Sequence, residues 1–363
     1  MSDTKRRILA LVSVAGLVVA GCGSTAATPT PAAATPTPAA ATPTPVASTP
    51  TPAAGGLAVT FIPKQVNNPY FDAAKTGADK AATELGGTVT QVGPSTAAAD
   101  AQIPFIQDAT TQKVSAIAIS ADDPDAIVPA LTAAKAAGIK IVGYDSSPAK
   151  GAYDVFVNQV DFSGVGVLLA DWACEEAPNC TGDVAILSAA ATATNQNAWI
   201  ALMTSTMASG AKYANLKLVA TVYGNDDPQE STTQAQGLLT KYPDLKVIVA
   251  PTTVGILAAA QVVKQTTGST VKVTGLGFPN DMKPFVADGT APVFGLWSVP
   301  DLGYLTYQIA AMLVKGTITG APGETFTLPS LNGGKPYTIG ADSVVILGPA
   351  FRFDKTNVND FNF

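Results

Sequence analysis

Histidine is absent from all 363 residues. That removes the Ser-His-Asp and Cys-His arrangements of nucleophilic catalysis, histidine zinc sites and the commonest general base. Charge is also scarce, at 13% of residues, and tilted to the acidic side, with 27 Asp and Glu against 21 Lys and Arg for a net charge of −6. Such a chain has no electrostatic means of gripping nucleic acid, where affinity comes from neutralising phosphates. Long apolar runs are missing as well. The one uncharged stretch of note, from Ile8 to Ala20, falls short of the roughly 20 residues a membrane-spanning helix requires.

What stands at the N-terminus points to export. Lys5, Arg6 and Arg7 precede that apolar run, and small residues follow it, the order of a secretory signal. The run ends in Val19-Ala20-Gly21-Cys22, which resembles the lipobox of bacterial lipoproteins. The resemblance implies cleavage after residue 21 and a lipid on the Cys22 thiol, so the expected location is extracytoplasmic, anchored to the cell membrane through Cys22. A plain signal peptide beside an incidental cysteine is the alternative. Losing residues 1–21 removes a net charge of +2 and takes the side-chain charge from −6 to about −8.

Residues 22–56 are mostly Thr, Pro and Ala, with Thr-Pro-Thr-Pro beginning at Thr28 and again at Thr35 and Thr42. Proline at every second position removes amide donors and blocks helix, so the seven-residue spacing is no coiled coil. An extended polyproline tether is expected, with a reach of roughly 100 Å at about 3.1 Å per residue. Its threonines are candidates for glycosylation.

From Leu57 onward strands and helices alternate. Strands are predicted at Leu57–Ile62, Thr88–Val92, Ser115–Ile119 and Ile139–Tyr144, with helices over Asn68–Leu85, Ala98–Thr111 and from Asp123 to the Gly138 stop. A second set begins at Val155, with strands at Asp183–Leu187, Leu216–Val222, Val247–Ala250, Val271–Leu276 and Val293–Leu296. Repeats of this length imply right-handed crossovers and parallel sheets covered on both faces. The predicted fold class is α/β: two doubly wound parallel-sheet lobes. Residues 57–148 with about 299–326 are assigned to the first lobe, and 149–298 with about 327–363 to the second. Crossovers between them are expected near 148–154, 298–301 and 320–329.

Besides Cys22 only Cys174 and Cys180 occur. Outside the cytoplasm disulfides persist, so a local disulfide closing a helix-to-strand corner is expected. Two free thiols or a redox pair are the alternatives, though the spacing departs from Cys-x-x-Cys.

Ligands of doubly wound sheets sit beyond the carboxyl ends of the strands. Those ends carry Lys64, Asp145, Asn195 and Gln196, Pro251 and Thr253, and Trp297. Carboxylates and carbonyls accept from ligand hydroxyls, while amides and ammonium donate to them, and an aromatic ring covers an apolar CH face. Each residue also has a plain structural reading. Lys64 is a solvated lysine, Asp145 a turn residue, and Asn195 a polar residue at a helix start. Phe71 and Trp199 fall on helical positions where core packing competes with a ligand platform. Asp122 and Asp123 read as loop and cap, and Gly275-x-Gly277 lacks the partners of a nucleotide motif.

Ile62-Pro-Lys-Gln-Val-Asn-Asn-Pro-Tyr-Phe71, Ile119-Ser-Ala-Asp-Asp-Pro-Asp-Ala-Ile127, Thr192-Ala-Thr-Asn-Gln-Asn-Ala-Trp199 and Phe294-Gly-Leu-Trp297 resemble the type I periplasmic sugar-binding proteins of ABC transporters. Within them the nearest branch looks like the rhamnose-binding proteins and the autoinducer-2 receptor, over nearly all of residues 57–363. The resemblance implies a two-lobed protein joined by a three-crossover hinge. It is expected to be a monomer without cofactor or metal and not an enzyme, taking its ligand in the interlobe cleft and delivering it to permease subunits. The autoinducer-2 receptor's contacts fall on Lys64, Asp145, Asn195, Gln196, Pro251 and Thr253. Two of these depart from that pattern: Asn195 stands in place of aspartate and Thr253 in place of alanine. Asn195-Gln196 with the segment from Pro251 to Ile256 looks more like the rhamnose type, so a deoxyhexose ranks above autoinducer-2. A receptor feeding a sensor kinase remains the signalling alternative.

Overall fold

The computed structural model describes residues 56–363. The expected signal segment, Cys22 and nearly all of the tether lie outside the described residues.

The first half of the chain alternates as expected: β1 (Ala58–Ile62), α1 (Pro69–Leu85), β2 (Thr88–Gln91), α2 (Ile103–Thr111), β3 (Ala116–Ile119), α3 (Val128–Ala136) and β4 (Lys140–Tyr144). Helix α1 starts where Asn68 accepts the Tyr70 N–H and Pro69 occupies the first turn, and stops at Gly86 in the left-handed region with φ 70°. Helix α3 starts later than Pro124 because Asp123 Oδ1 accepts the amides of Asp125 and Ala126, each at 2.9 Å, and closes a turn there.

Next come β5 (Val155–Asn158), α4 (Phe162–Glu176), β6 (Gly182–Ser188), α5 (Thr194–Ser209), β7 (Leu216–Tyr223), α6 (Pro228–Lys241), β8 (Leu245–Ala250), α7 (Thr253–Gln265), β9 (Lys272–Gly275), α8 (Pro279–Ala287) and β10 (Phe294–Leu296). The chain ends with α9 (Val299–Lys315), a hairpin of β11 (Thr325–Thr327) and β12 (Pro336–Thr338), and two short strands, β13 (Val344–Ile346) and β14 (Phe351–Phe353).

Two sheets result. One has the order β13-β5-β4-β3-β1-β2, with every neighbour parallel. The other runs β7-β6-β8-β9 in parallel and is extended by a bridge from Leu276 to Gly295, which brings in the antiparallel pair β10-β14.

This topology moves the expected lobe boundaries. Val155–Asn158 pairs with β4 and is the fifth strand of the first sheet, not the opening of the second lobe. Val344–Ile346 pairs with that same strand, so part of the assigned 327–363 returns to the first lobe. The chain therefore crosses at residues 159–161 and 347–350 instead of 148–154 and 320–329, whereas the crossing at 297–298 meets the expected 298–301. A strand's partner is a long-range choice that local periodicity does not carry.

Helix α9 returns to the first lobe and packs on α1. A Cβ on Gly77 would stand 1.7 Å from Pro300 O, and one on Gly303 1.7 Å from Ala74 O, so both glycines are required for the backbones to approach. Cys174 and Cys180 are joined, tying the end of α4 to the turn before β6. Among the described residues no helix is long and apolar enough to cross a membrane.

Candidate functional site

The carboxyl ends of both sheets face one cleft. It encloses about 350 Å³ not filled by atoms, part of it open to solvent. Lys64, Phe71, Asp145, Gln196, Pro251, Thr253 and Trp297 line it, seven of the eight residues singled out from the sequence. The eighth, Asn195, lies immediately behind the wall and is 1% exposed.

Lys64, two residues past β1, is 3% exposed and reaches across to the other lobe. Its Nζ donates to Asn195 Oδ1 at 3.2 Å and to Gln196 Oε1 at 3.3 Å, and lies 3.6 Å from Asp145 Oδ2. A solvated lysine is thereby excluded.

Asp145 follows β4 with φ 59°, a left-handed conformation that costs a non-glycine residue energy and recurs at functional positions. Its Oδ2 accepts the Ser120 hydroxyl at 2.7 Å, and its Oδ1 accepts Asn195 Nδ2 at 3.1 Å and Gln159 Nε2 at 3.3 Å. Ser120 and Gln159 come from the ends of β3 and β5, so three strand ends of one lobe hold this carboxylate while Asn195 meets it from the other.

Several contributors were not singled out from sequence. Asp226, just past β7, lines the cleft at 9% exposure. It accepts the Thr252 hydroxyl, which leaves α7 without a side-chain cap from its own Ncap residue. Burial pushes the Asp226 carboxyl up, and Lys64 and the Thr252 hydroxyl oppose the shift. The strand-end rule would have found Asp226 had the end of β7 been read like the others. Tyr70, one residue before Phe71 on α1, accepts Trp297 Nε1 at 2.9 Å. Burial and the nearby Asp145 carboxylate push its phenol well above the ordinary value. Asn68, Leu276 and Leu296 complete the wall, and Trp199, which read as core, lines it too.

Asp122, read as loop, is fully buried. Burial raises it to about 8 against the opposing pull of Lys64 and of the Ala98 backbone amide. Its own carbonyl accepts the Thr192 hydroxyl from the opposite lobe at 2.8 Å.

The arrangement suits a small, uncharged, hydroxyl-rich ligand: donors and acceptors from both lobes converge, with aromatic faces between them. The family described as periplasmic binding protein domain matches residues 59–318. The chain belongs to this family. Solved structures similar to this periplasmic binding protein include an ABC transporter solute-binding protein from Clostridium phytofermentas with bound L-rhamnose. It is 39% identical with a TM-score of 0.79, and the match covers 84% of this chain and 98% of that one. A sugar ABC transporter protein from Actinomyces odontolyticus is 43% identical with a TM-score of 0.67, over 84% and 97% of the two chains. LsrB from Clostridium saccharobutylicum in complex with AI-2 is 27% identical with a TM-score of 0.77, over 84% and 100%. The α/β architecture of parallel sheets and helices is that of the type I periplasmic binding proteins, and the first of these relatives is a solute-binding protein of an ABC transporter.

Proposed function

We propose that this protein is the extracytoplasmic ligand-capturing component of an ABC importer, closing its two lobes on a monosaccharide of the rhamnose type. The carrying observation is the set of hydrogen bonds from Lys64, in one lobe, to Asn195 and Gln196 in the other. Polar groups drawn from both lobes are satisfied together only when the lobes meet, so a ligand that bonds to both stabilises the closed form selectively. Permease subunits would then recognise the surface that closure creates.

Asn195 favours a deoxyhexose over autoinducer-2. It donates its amide to Asp145 and accepts from Lys64 at once, a pair of bonds that an aspartate could not make. The autoinducer-2 reading keeps support from the match at Lys64, Asp145, Gln196 and Pro251, and a receptor serving a sensor kinase would use the same closure. The L-rhamnose complex of the 39% identical relative supports the first reading.

Cys22 as lipid attachment completes the proposal. Loss of the protein from the membrane fraction in Cys22→Ala is the expected result, and unchanged membrane retention would overturn it. For the ligand, the test is a thermal-shift screen against rhamnose, other pentoses and hexoses, and autoinducer-2 with borate excluded. A ligand specific to the folded state raises the melting temperature with its concentration. A shift with rhamnose that disappears in Asp145→Ala is expected, whereas a shift with autoinducer-2 alone would reverse the ranking.

A further inference from the structure

Each lobe brings a carboxylate to the cleft, and the protein engages the two unequally. Asp145 and Asp226 both line the cavity, and both hold a left-handed backbone, with φ 59° and 51°. A carboxylate has about four acceptor sites. Asp145 meets four protein groups: Ser120, Asn195 and Gln159 donate to it, and the Lys64 ammonium lies 3.6 Å from Oδ2. Asp226 is nearly as buried, and its Oδ1 accepts the Thr252 hydroxyl. Donors beside it are committed elsewhere. Gln65 Nε2 reaches the Asp226 backbone carbonyl at 2.9 Å, Asn225 Nδ2 goes to Glu230, and Lys64 Nζ goes to Asn195 and Gln196. Among the described residues, Thr252 is the one side chain that donates to the Asp226 carboxylate.

A nearly buried carboxylate held by a single neutral hydroxyl has lost water without full replacement, and burial accordingly pushes its carboxyl up. A ligand hydroxyl would supply a further donor in a charge-assisted bond. We infer that Asp226 is a specificity-determining residue that accepts a hydroxyl group of the ligand from the second lobe. The inference rests on the monosaccharide reading above and adds the carboxylate through which that lobe reads the sugar. The competing reading is purely structural: Asp226 fixes the turn before α6 and, through Thr252, the start of α7.

Asp226→Asn keeps an oxygen for Thr252 and tolerates the left-handed backbone, but replaces the second acceptor with a donor. Calorimetric titration of the full chain, purified in detergent, compares L-rhamnose with its monodeoxy analogues on wild type and variant. Rhamnose is expected to bind the variant about 10- to 100-fold more weakly, the range for a hydrogen bond to a charged group. One analogue, lacking the hydroxyl that Asp226 reads, should bind both proteins within about threefold, because that contact is already gone. Unchanged rhamnose affinity, or an equal loss for every analogue, overturns the assignment and leaves the sugar site standing. Asp226→Gly suits the same backbone and repeats the comparison if the first variant does not fold. If another monosaccharide binds in place of rhamnose, its own monodeoxy analogues complete the same cycle. Absence of binding by any monosaccharide overturns the sugar reading itself, and the assignment with it.

Discussion

Asn195 and Asp145 meet across the cleft, amide Nδ2 to carboxylate Oδ1, at 3.1 Å. They come from different lobes: Asp145 directly follows β4, and Asn195 lies in the first turn of α5, the helix after β6. The contact needs a donor at position 195. That requirement makes one amide, rather than the cleft as a whole, the point at which the sugar reading can be tested.

Asn195→Asp places a carboxylate against Asp145 in a buried setting, where two like charges disfavour each other. The Asn195 donation to Asp145 is lost and the lobes meet less readily. L-Rhamnose affinity at neutral pH is expected to fall tenfold or more by isothermal titration calorimetry. An unchanged affinity would mean that the amide is not what aligns Asp145 for the ligand.

Gln65 clasps the two lobes without lining the cavity. Its Oε1 accepts the Ala97 amide at 3.1 Å in its own lobe, and its Nε2 donates to Asp226 O in the other at 2.9 Å. Gln65→Ala removes an interlobe bond worth about 1 kcal/mol, so ligand affinity should weaken about fivefold through closure alone. Small-angle scattering of the ligand-free variant should give a larger radius of gyration than wild type. Equal radii and equal affinity would show that the clasp contributes nothing to closure.

Asp122 makes stability depend on pH in an unusual direction. Its folded value of about 8 lies above the ordinary 3.8, so between these limits the folded state holds a proton that the unfolded chain has released. Stability from this group is full below about pH 4 and declines as pH rises towards 8. Asp122→Asn should raise the melting temperature at pH 8.5 and flatten its pH dependence over that window. Glu176, raised to about 7 chiefly by burial with Glu175 nearby, slopes the same way and will leave a residual dependence. A variant as pH-sensitive as wild type would show that Asp122 is hydrated in solution.

The Cys174–Cys180 bond closes a short loop. In the chain-entropy account such a loop contributes about 2 kcal/mol, which for a chain of this size corresponds to a few degrees of melting temperature. Cys174→Ser with Cys180→Ser should lower the calorimetric midpoint by that amount and leave sugar affinity nearly unchanged, because neither cysteine lines the cleft. A large loss of affinity would mean that the corner is coupled to the site.

Lys64 and Asp145 were legible because the strand-end rule needs only local apolar runs and the polar residue that terminates each. Asp226 obeys the same rule and went unread behind Gly224-Asn225, where the chain turns with φ of 50° and 51° at Asn225 and Asp226. Tyr70 was hidden for another reason. On α1 it has the spacing of a core residue, and its phenol becomes a site group only because Trp297, 227 positions later, arrives beside it. The burial of Asp122 was equally invisible, since two adjacent aspartates before a proline read as solvated loop and cap.

The sequence by itself determined the alternation of strand and helix, the capping of α1, the lack of histidine chemistry and the strand ends that carry polar groups. All of these are properties of neighbouring residues. Tertiary structure alone decided that Val155–Asn158 and Val344–Ile346 join the first sheet, and therefore where the chain crosses between lobes. It also decided that Lys64 finds its partners Asn195 and Gln196 in the opposite lobe. Strand pairing and cleft closure join residues far apart in the chain, and their free energy comes from surfaces that exist only once both lobes have folded.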